Sequence, residues 1–317
     1  MQKKSHSAIF FDRTAALAAL LCTAVYDYGI RILLLAAAAV LASLTTERLC
    51  TALRRQPFTR GNLDAAVSGV ILMMLMPPTV SVSLLIMSCI FGNIIGRQVF
   101  GGRKNPVLPA AAAGYVFALC NARAQMTMFP AAKGALPLLQ IDESTLVSGI
   151  SETFSRSGKI TGTVTDLLTG LPAQPVGTGS VVLLLVIAAV LMLRRSASAL
   201  VLLPSVLVCC ITNLLLSDLR HPVLTLAGAL LSHQFLFAAI FLLSDPEYAP
   251  PQTAGIFFGL ICGIAAVMLT RFLYVYDAPV LLAVLLSPLG VILRHVMQDD
   301  PPETAAAGED GELHEAS

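Results

Sequence analysis

Two groups of residues have the types and spacing to do chemistry. The first is Gly101-Gly102-Arg103-Lys104-Asn105-Pro106, where adjacent glycines can fold the backbone tightly and the neighbouring basic residues can hold a phosphate or a flavin. The same six residues also make an ordinary tight turn. The second group is polar side chains inside apolar runs: Asn213, His233 and Gln234. A polar group in hydrocarbon costs several kcal/mol unless it is partnered or hydrated, so each marks either a ligand path or a hydrogen bond to a neighbouring helix. Asp245-Pro246 and Arg271 close apolar runs, the first as a helix stop and the second as a side chain able to snorkel to the interface. There is no nucleophile beside a base, no Walker loop and no HExxH, so the chain shows no self-contained catalytic site. The seven cysteines form no CxxC pair and sit mostly in apolar runs, as small buried hydrophobes do.

The elements that must position these residues are set by composition. Hydrophobic residues make up 56% of the 317, charged residues 12%, and the mean hydropathy is +0.80. An average soluble domain carries about 25% charged residues, so the chain is expected to be an all-α polytopic membrane protein. A net charge of +1 without a basic patch argues against nucleic acid as a partner and leaves membrane lipid as the medium.

Apolar runs place about ten transmembrane helices, at 14–28, 31–46, 63–76, 79–96, 106–121, 177–193, 199–216, 222–243, 254–274 and 278–296. The run 63–76 is short and stopped by Pro77-Pro78, the pattern of a broken helix lining a cavity. The interval 129–176 carries Lys133, Asp142, Glu143, Glu152, Arg156, Lys159 and Asp166, too many charges for hydrocarbon. The domains are therefore a first five-helix half (1–128), a loop lobe (129–176), a second five-helix half (177–297) and an acidic tail (298–317) too poor in apolar residues to fold. Five spans per half insert the two halves with opposite orientation, which permits an inverted repeat.

Orientation follows from the basic residues. Thirteen of the 20 Lys and Arg fall on one side, in the clusters Lys3/Lys4/Arg13, Arg48/Arg54/Arg55/Arg60, Arg97/Arg103/Lys104, Arg194/Arg195 and Arg294. That side is the cytoplasm, so both termini are expected there and the lobe outside a bacterial cytoplasmic (inner) membrane.

An ordered set of short motifs resembles one family. Glu47-Arg48, Arg55-Gln56-Pro57, Leu75-Met76-Pro77-Pro78, Gly96-Arg97-Gln98-Val99-Phe100-Gly101-Gly102 and Asn105-Pro106-Val107-Leu108-Pro109-Ala110 occur in order. They continue in Gln125-Met126-Thr127, Phe129-Pro130, Asp166-Leu167-Leu168-Thr169-Gly170, Pro175-Val176-Gly177 and Ser244-Asp245-Pro246. The chain resembles the RnfD subunits of Rnf ferredoxin:NAD oxidoreductase complexes, which are similar to the NqrB subunit of the sodium-translocating NADH:quinone reductase. The resemblance implies a ten-span subunit of a redox-driven pump for Na+ or H+. It implies other Rnf-type subunits as partners, flavin mononucleotide (FMN) esterified to a threonine by a flavin transferase in an S-G-A-T motif, and riboflavin as a further flavin. The matching stretch is Val147-Ser148-Gly149-Ile150-Ser151-Glu152-Thr153, with Ser151 in the threonine's place and Glu152 where proline is usual. Ser148, Gly149, Ser151 and Thr153 are thus the implied flavin site, and Thr165 in Thr161-Gly162-Thr163-Val164-Thr165 belongs to a second register. Two other readings fit the same chain: a stand-alone secondary transporter, and a scaffold subunit without flavin.

Overall fold

The computed structural model describes residues 6–102, 105–131, 133–138, 146–149, 152, 173–216, 234–275 and 277–299. Arg103, Lys104, Ser151, Lys159, Thr153, Thr165, His233, the outer part of the eighth predicted span and most of the acidic tail lie outside them.

The first half is α1 (His6–Tyr28), α2 (Arg31–Leu53), α3 (Asp64–Leu75), α4 (Val82–Asn93, continued by a π turn, Ile94–Gln98) and α5 (Ala110–Asn121). A short helix, α6 (Arg123–Thr127), leads to β1 (Met128–Pro130), which pairs antiparallel with β2 (Leu146–Ser148) in the lobe. The second half is α7 (Val181–Leu193), α8 (Ala199–Leu215), α9 (Phe235–Ala238, continued by a π turn, Ala239–Leu243), α10 (Gln252–Phe272) and α11 (Ala278–Asp299). The chain is thus a multi-pass helical membrane protein with a small β ribbon that hydropathy does not foretell. Among the described residues, four helices can cross a membrane alone by length and composition, namely His6–Tyr28, Arg31–Leu53, Thr253–Phe272 and Ala278–Val296, and the other described helices are shorter.

The observed ends correct the predicted ones where charges intervene. The apolar runs start the first span at residue 14 and stop the second at 46, yet α1 begins at His6 and α2 runs to Leu53. Asp12, Arg13 and Glu47 sit inside these helices because partners elsewhere in the fold satisfy them.

Lipid tails are as apolar as leucine, so helices here associate through close packing rather than through the hydrophobic effect. One close-packed seam joins α8 and α10. Gly255, Gly259 and Gly263 recur every fourth residue, and a Cβ at Gly259 or Gly263 would stand 2.5 or 2.6 Å from the carbonyl oxygens of Val201 or Ser205. Val201, Ser205, Cys209 and Asn213, also four apart, form the buried face of α8. In the first half Gly92, Gly96 and Gly114 do the same for α4 and α5.

Two segments are apolar and buried on all sides, as only a helix at the centre of a bundle can be. One is the end of α3, Leu72 to Met76, stopped by Pro77-Pro78 as predicted; the other is Phe235 to Leu243 of α9. Among the described helices, both occupy the third place in their half. The second helix packs on the third and fourth (α2 on α3 and α4), the fifth on the third and fourth (α5 on α3 and α4), and α8, α9, α10 and α11 repeat that pattern.

Candidate functional site

Polar groups collect at three levels around these two core helices. At one end the connections preceding α3, α5, α8 and α10 come together. Arg13 grips Asp245 with both amino groups, at 2.8 and 2.6 Å, and Asp12 beside it accepts from Arg194 at 2.6 Å and from the Ser196 hydroxyl. Arg294 donates to the carbonyls of Pro246, Glu247 and Ala249 at 2.5 to 2.7 Å, and the Tyr248 hydroxyl donates to Leu108 O at 3.2 Å. Burial and the neighbouring Asp245 carboxylate push the Glu247 carboxyl up to about 7, against the pull of Arg13 and Arg97. These groups enclose a cavity of about 50 Å³ lined by His6, Arg13, Asp64, Arg97, Asp245 and Glu247 from α1, α3, α4 and the α9–α10 loop. That volume suits a few waters or a small ion. It is far below the roughly 300 Å³ at which ligand pockets begin, so an isoalloxazine ring does not fit it.

Beside it lies a larger cleft of about 570 Å³ with a buried polar wall. Glu47 accepts from Asn62 Nδ2 at 2.7 Å and Gln98 Nε2 at 2.6 Å, and Arg54 donates to the Gln98 carbonyl. Gly101 and Gly102 take φ of +105° and +77° at its rim, which only glycine adopts without strain, so the turn reading of this motif holds and the motif also borders a ligand-sized space. This cleft fits a riboflavin by size.

At the opposite end the α1–α2 turn, the Pro77-Pro78 break and the start of the lobe meet on Arg31. The residue is 1% exposed, and the five N–H donors of its guanidinium meet five carbonyls: Pro78 at 2.9 Å, Thr79 at 3.4 Å, Val80 at 2.8 Å, Pro137 at 2.9 Å and Leu138 at 2.7 Å. Lys133 pairs with Asp27 at 2.9 Å, Gly134 N–H donates to Asp27 O and Leu136 N–H to Tyr28 O. The lobe is therefore stapled to the first half at its root. Of the implied flavin site, Ser148 lies exposed on β2, and Gly149 packs on the Phe129 ring so closely that a Cβ would meet Cε2 at 2.7 Å. Glu152 N–H donates to Gly149 O. The described part of the stretch therefore offers a modifying enzyme an accessible hydroxyl at Ser148, beside a buried Gly149 and a half-buried Glu152.

Between these levels Tyr115 of α5 donates to Asp277 Oδ1 at 2.5 Å and accepts from Gln234 Nε2 at 3.2 Å. Gln234 precedes α9 with φ +52°, is 5% exposed, and its Oε1 has no partner among the described residues. Hydropathy singles out Gln234 but gives no hint of Tyr115, Asp277, Arg31 or Asp12. Asn213 is not brought to Gln234; its amide turns back onto Cys209 O of its own helix at 3.0 Å. Arg271 donates to Leu216 O at 3.4 Å, at a helix end as expected.

The sequence matches the NQR2, RnfD, RnfE family over residues 1–295. It is similar to the D subunit of the ion-translocating oxidoreductase complex of Ectopseudomonas mendocina, 34% identical over 105 residues that make 32% of this chain and 30% of that one. The D subunit of the Na+-translocating ferredoxin:NAD+ oxidoreductase complex of Acetobacterium woodii is 30% identical over 125 residues, 39% of each chain. The corresponding D subunit of the ion-translocating oxidoreductase complex of Pseudomonas aeruginosa is 34% identical over 122 residues, 37% of this chain and 35% of that one. The matched stretches thus span 30% to 39% of these relatives' lengths. With the match running from the first residue to within the last helix, the chain belongs to the NQR2, RnfD, RnfE family.

Proposed function

We propose that this chain is the D-type membrane subunit of an Rnf-type ferredoxin:NAD oxidoreductase complex, coupling electron transfer through flavins to movement of Na+ or H+ across a bacterial cytoplasmic membrane. Redox centres in partner subunits carry the electrons, and this chain supplies membrane scaffold, one covalent flavin and part of the ion path. The observation that carries the reading is the pair of short, buried core helices α3 and α9 in corresponding places of the two halves. Interrupted helices at matching positions of two opposed repeats are where transporters bind their ions, because freed backbone and buried polar side chains replace water there. The matching contact pattern of the two halves supports the inverted repeat, with ten spans, both termini in the cytoplasm and the lobe outside. The ion enters at the small charged cavity beside Arg13 and Asp245.

Flavin mononucleotide is esterified to Ser151, with Ser148 and Gly149 as recognised neighbours and Thr153 and Thr165 as alternative hydroxyls; riboflavin occupies the cleft beside Gly101 and Gly102. When bound, these flavins supply one-electron steps. Against the ester stands Glu152, whose carboxylate repels an incoming phosphate by roughly 1 kcal/mol at about 4 Å in water. That same departure favours the second reading, a subunit that scaffolds the complex without flavin.

Inverted vesicles carrying the whole complex test the main reading. Ferredoxin-dependent NAD reduction should drive Na+ or H+ uptake, and deleting this subunit should abolish the coupled uptake; uptake that persists overturns the assignment. In-gel fluorescence of the denatured chain, co-expressed with a flavin transferase, tests the ester. Ser151→Thr should raise incorporation above wild type, and Ser151→Thr with Glu152→Pro should raise it further. An unmodified loop peptide in all three by mass spectrometry selects the scaffold reading.

A further inference from the structure

We propose that the Gln234 side-chain carbonyl and the Asp277 carboxylate, held together by Tyr115, bind a small monovalent metal cation on the outer side of the α9 break. The inference rests on reading the chain as an ion-translocating subunit and names a place in it where the ion is held.

The hydrogen-bond inventory decides the charge of the ligand. Tyr115 spends its one proton on Asp277 Oδ1 at 2.5 Å, so its oxygen can face the Gln234 amide only as an acceptor, from Nε2 at 3.2 Å. This fixes the amide with Oε1 turned away from the phenol, and among the described residues that oxygen has no partner although the residue is 5% exposed. A buried acceptor left unmet is costly. On the other side of the phenol the Asp277 carboxylate retains a second oxygen. What remains open is a set of hard oxygen acceptors under one formal negative charge. An anion meets only repulsion there, and a divalent ion, which takes six or more oxygens and commonly several carboxylates, is undercompensated. The positive group acting on Asp277 is Arg123, which is exposed at the start of α6 and solvated, and so compensates the carboxylate only weakly.

The placement suits an ion in transit. Gln234 caps the start of the second half's short core helix, Tyr115 belongs to the first half and Asp277 to the turn between α10 and α11, so one ion touches both halves. Asp277 is half-buried just before the start of α11, so the site lies at a helix end, and Phe235 and Phe237, which follow Gln234 in the chain, are nearly fully buried.

Binding of radiolabelled Na+ to the purified full-length chain in nanodiscs, with Li+ and K+ as competitors and choline as the inert cation, tests the site. Wild type should bind one ion per chain. Gln234→Leu and Asp277→Asn should each weaken binding at least tenfold, and Gln234→Glu, which keeps the oxygen and adds charge, should bind as tightly as wild type or tighter. Tyr115→Phe should weaken binding without changing the melting temperature in choline, because it releases the two ligands rather than the fold. Should Gln234→Leu fail to fold, Gln234→Glu still decides, since tenfold weaker binding by that variant overturns the proposal. Wild-type binding in both Gln234→Leu and Asp277→Asn overturns it too, as does a wild-type chain that binds none of the three cations, which would make the orphan oxygen the partner of a trapped water. The assay needs no electron transfer: a complex that pumps although this chain, once purified, binds no cation refutes the site alone, and a cation-binding chain in a complex without ferredoxin-dependent NAD reduction refutes the functional reading alone.

Discussion

Replacing Arg31 by methionine removes every donor from a junction where three segments meet, and the size of the effect follows from the donor count. Five N–H groups serve five main-chain carbonyls, two from the lobe and three from the Pro78–Val80 turn, and among the described residues no carboxylate shares the guanidinium. Hydrogen bonds to a charged donor contribute about 1.5–3 kcal/mol each, but their sum overstates the loss because removing a buried cation also removes its desolvation cost. Measured losses on deleting one side of a buried charged network are about 3–5 kcal/mol. At roughly 2–4 °C per kcal/mol for a chain of this order of size, the melting temperature should fall on the order of 10 °C. The chain has no tryptophan, so unfolding is best followed by circular dichroism or by size exclusion of a fluorescent fusion. Arg31→Lys has three donors for five acceptors and should fall between wild type and Arg31→Met. Limited proteolysis in detergent should show new cuts near Pro137 in Arg31→Met, because the lobe root has lost its anchor. A melting temperature within about 2 °C of wild type, with an unchanged digest, would refute the idea that Arg31 staples the lobe.

Gly259→Ala should cost about 1–3 kcal/mol, read as a lower melting temperature, because its Cβ would stand 2.5 Å from Val201 O, whereas Gly134→Ala, with nothing within 4 Å, should be neutral. Glu247 has its folded pKa raised from 4.5 to about 7, so the folded state holds the proton more tightly and stability should decline as pH rises from about 4.5 through 7. Glu247→Gln should flatten that decline in melting scans; an unchanged slope would mean that another group causes it. A reporter inserted after Lys159 should be reached from outside the cell and one after Glu312 only from the cytoplasm, and finding both on one side would sink the ten-span topology.

What the sequence disclosed was whatever depends on neighbours in the chain. Apolar run length located most helices, Pro77-Pro78 stopped α3 where expected, and Gly101-Gly102 made the turn its residue types demand. The fourfold glycine spacing at 255, 259 and 263 is equally plain in the sequence but carries meaning only once α8 is known to lie against it. Arg31 reads as one more positive charge at a span boundary, since nothing local says that its acceptors come from residues 47 to 107 positions away. Tyr115 and Asp277 are invisible for the same reason, being 162 residues apart, while Gln234 can be suspected by itself because it interrupts an apolar run. Helix ends are misjudged where a charge has a distant partner, as in α1.

The tandem Asp12 and Arg13 on α1 bears on how the protein is made. Their partners lie 184 and 232 residues downstream, so at about 5–20 residues per second the ribosome needs on the order of tens of seconds to deliver Ser196 and Asp245. Throughout that interval the first helix leaves the translocon with a carboxylate and a guanidinium that have no mates. It must wait at the headgroup level or under the cover of an insertase, and it seats fully only when the eighth span and the Asp245 behind it emerge. Nascent chains stalled before residue 245 should accordingly leave α1 extractable by alkali, making the first helix synthesised among the last to be committed to the bilayer.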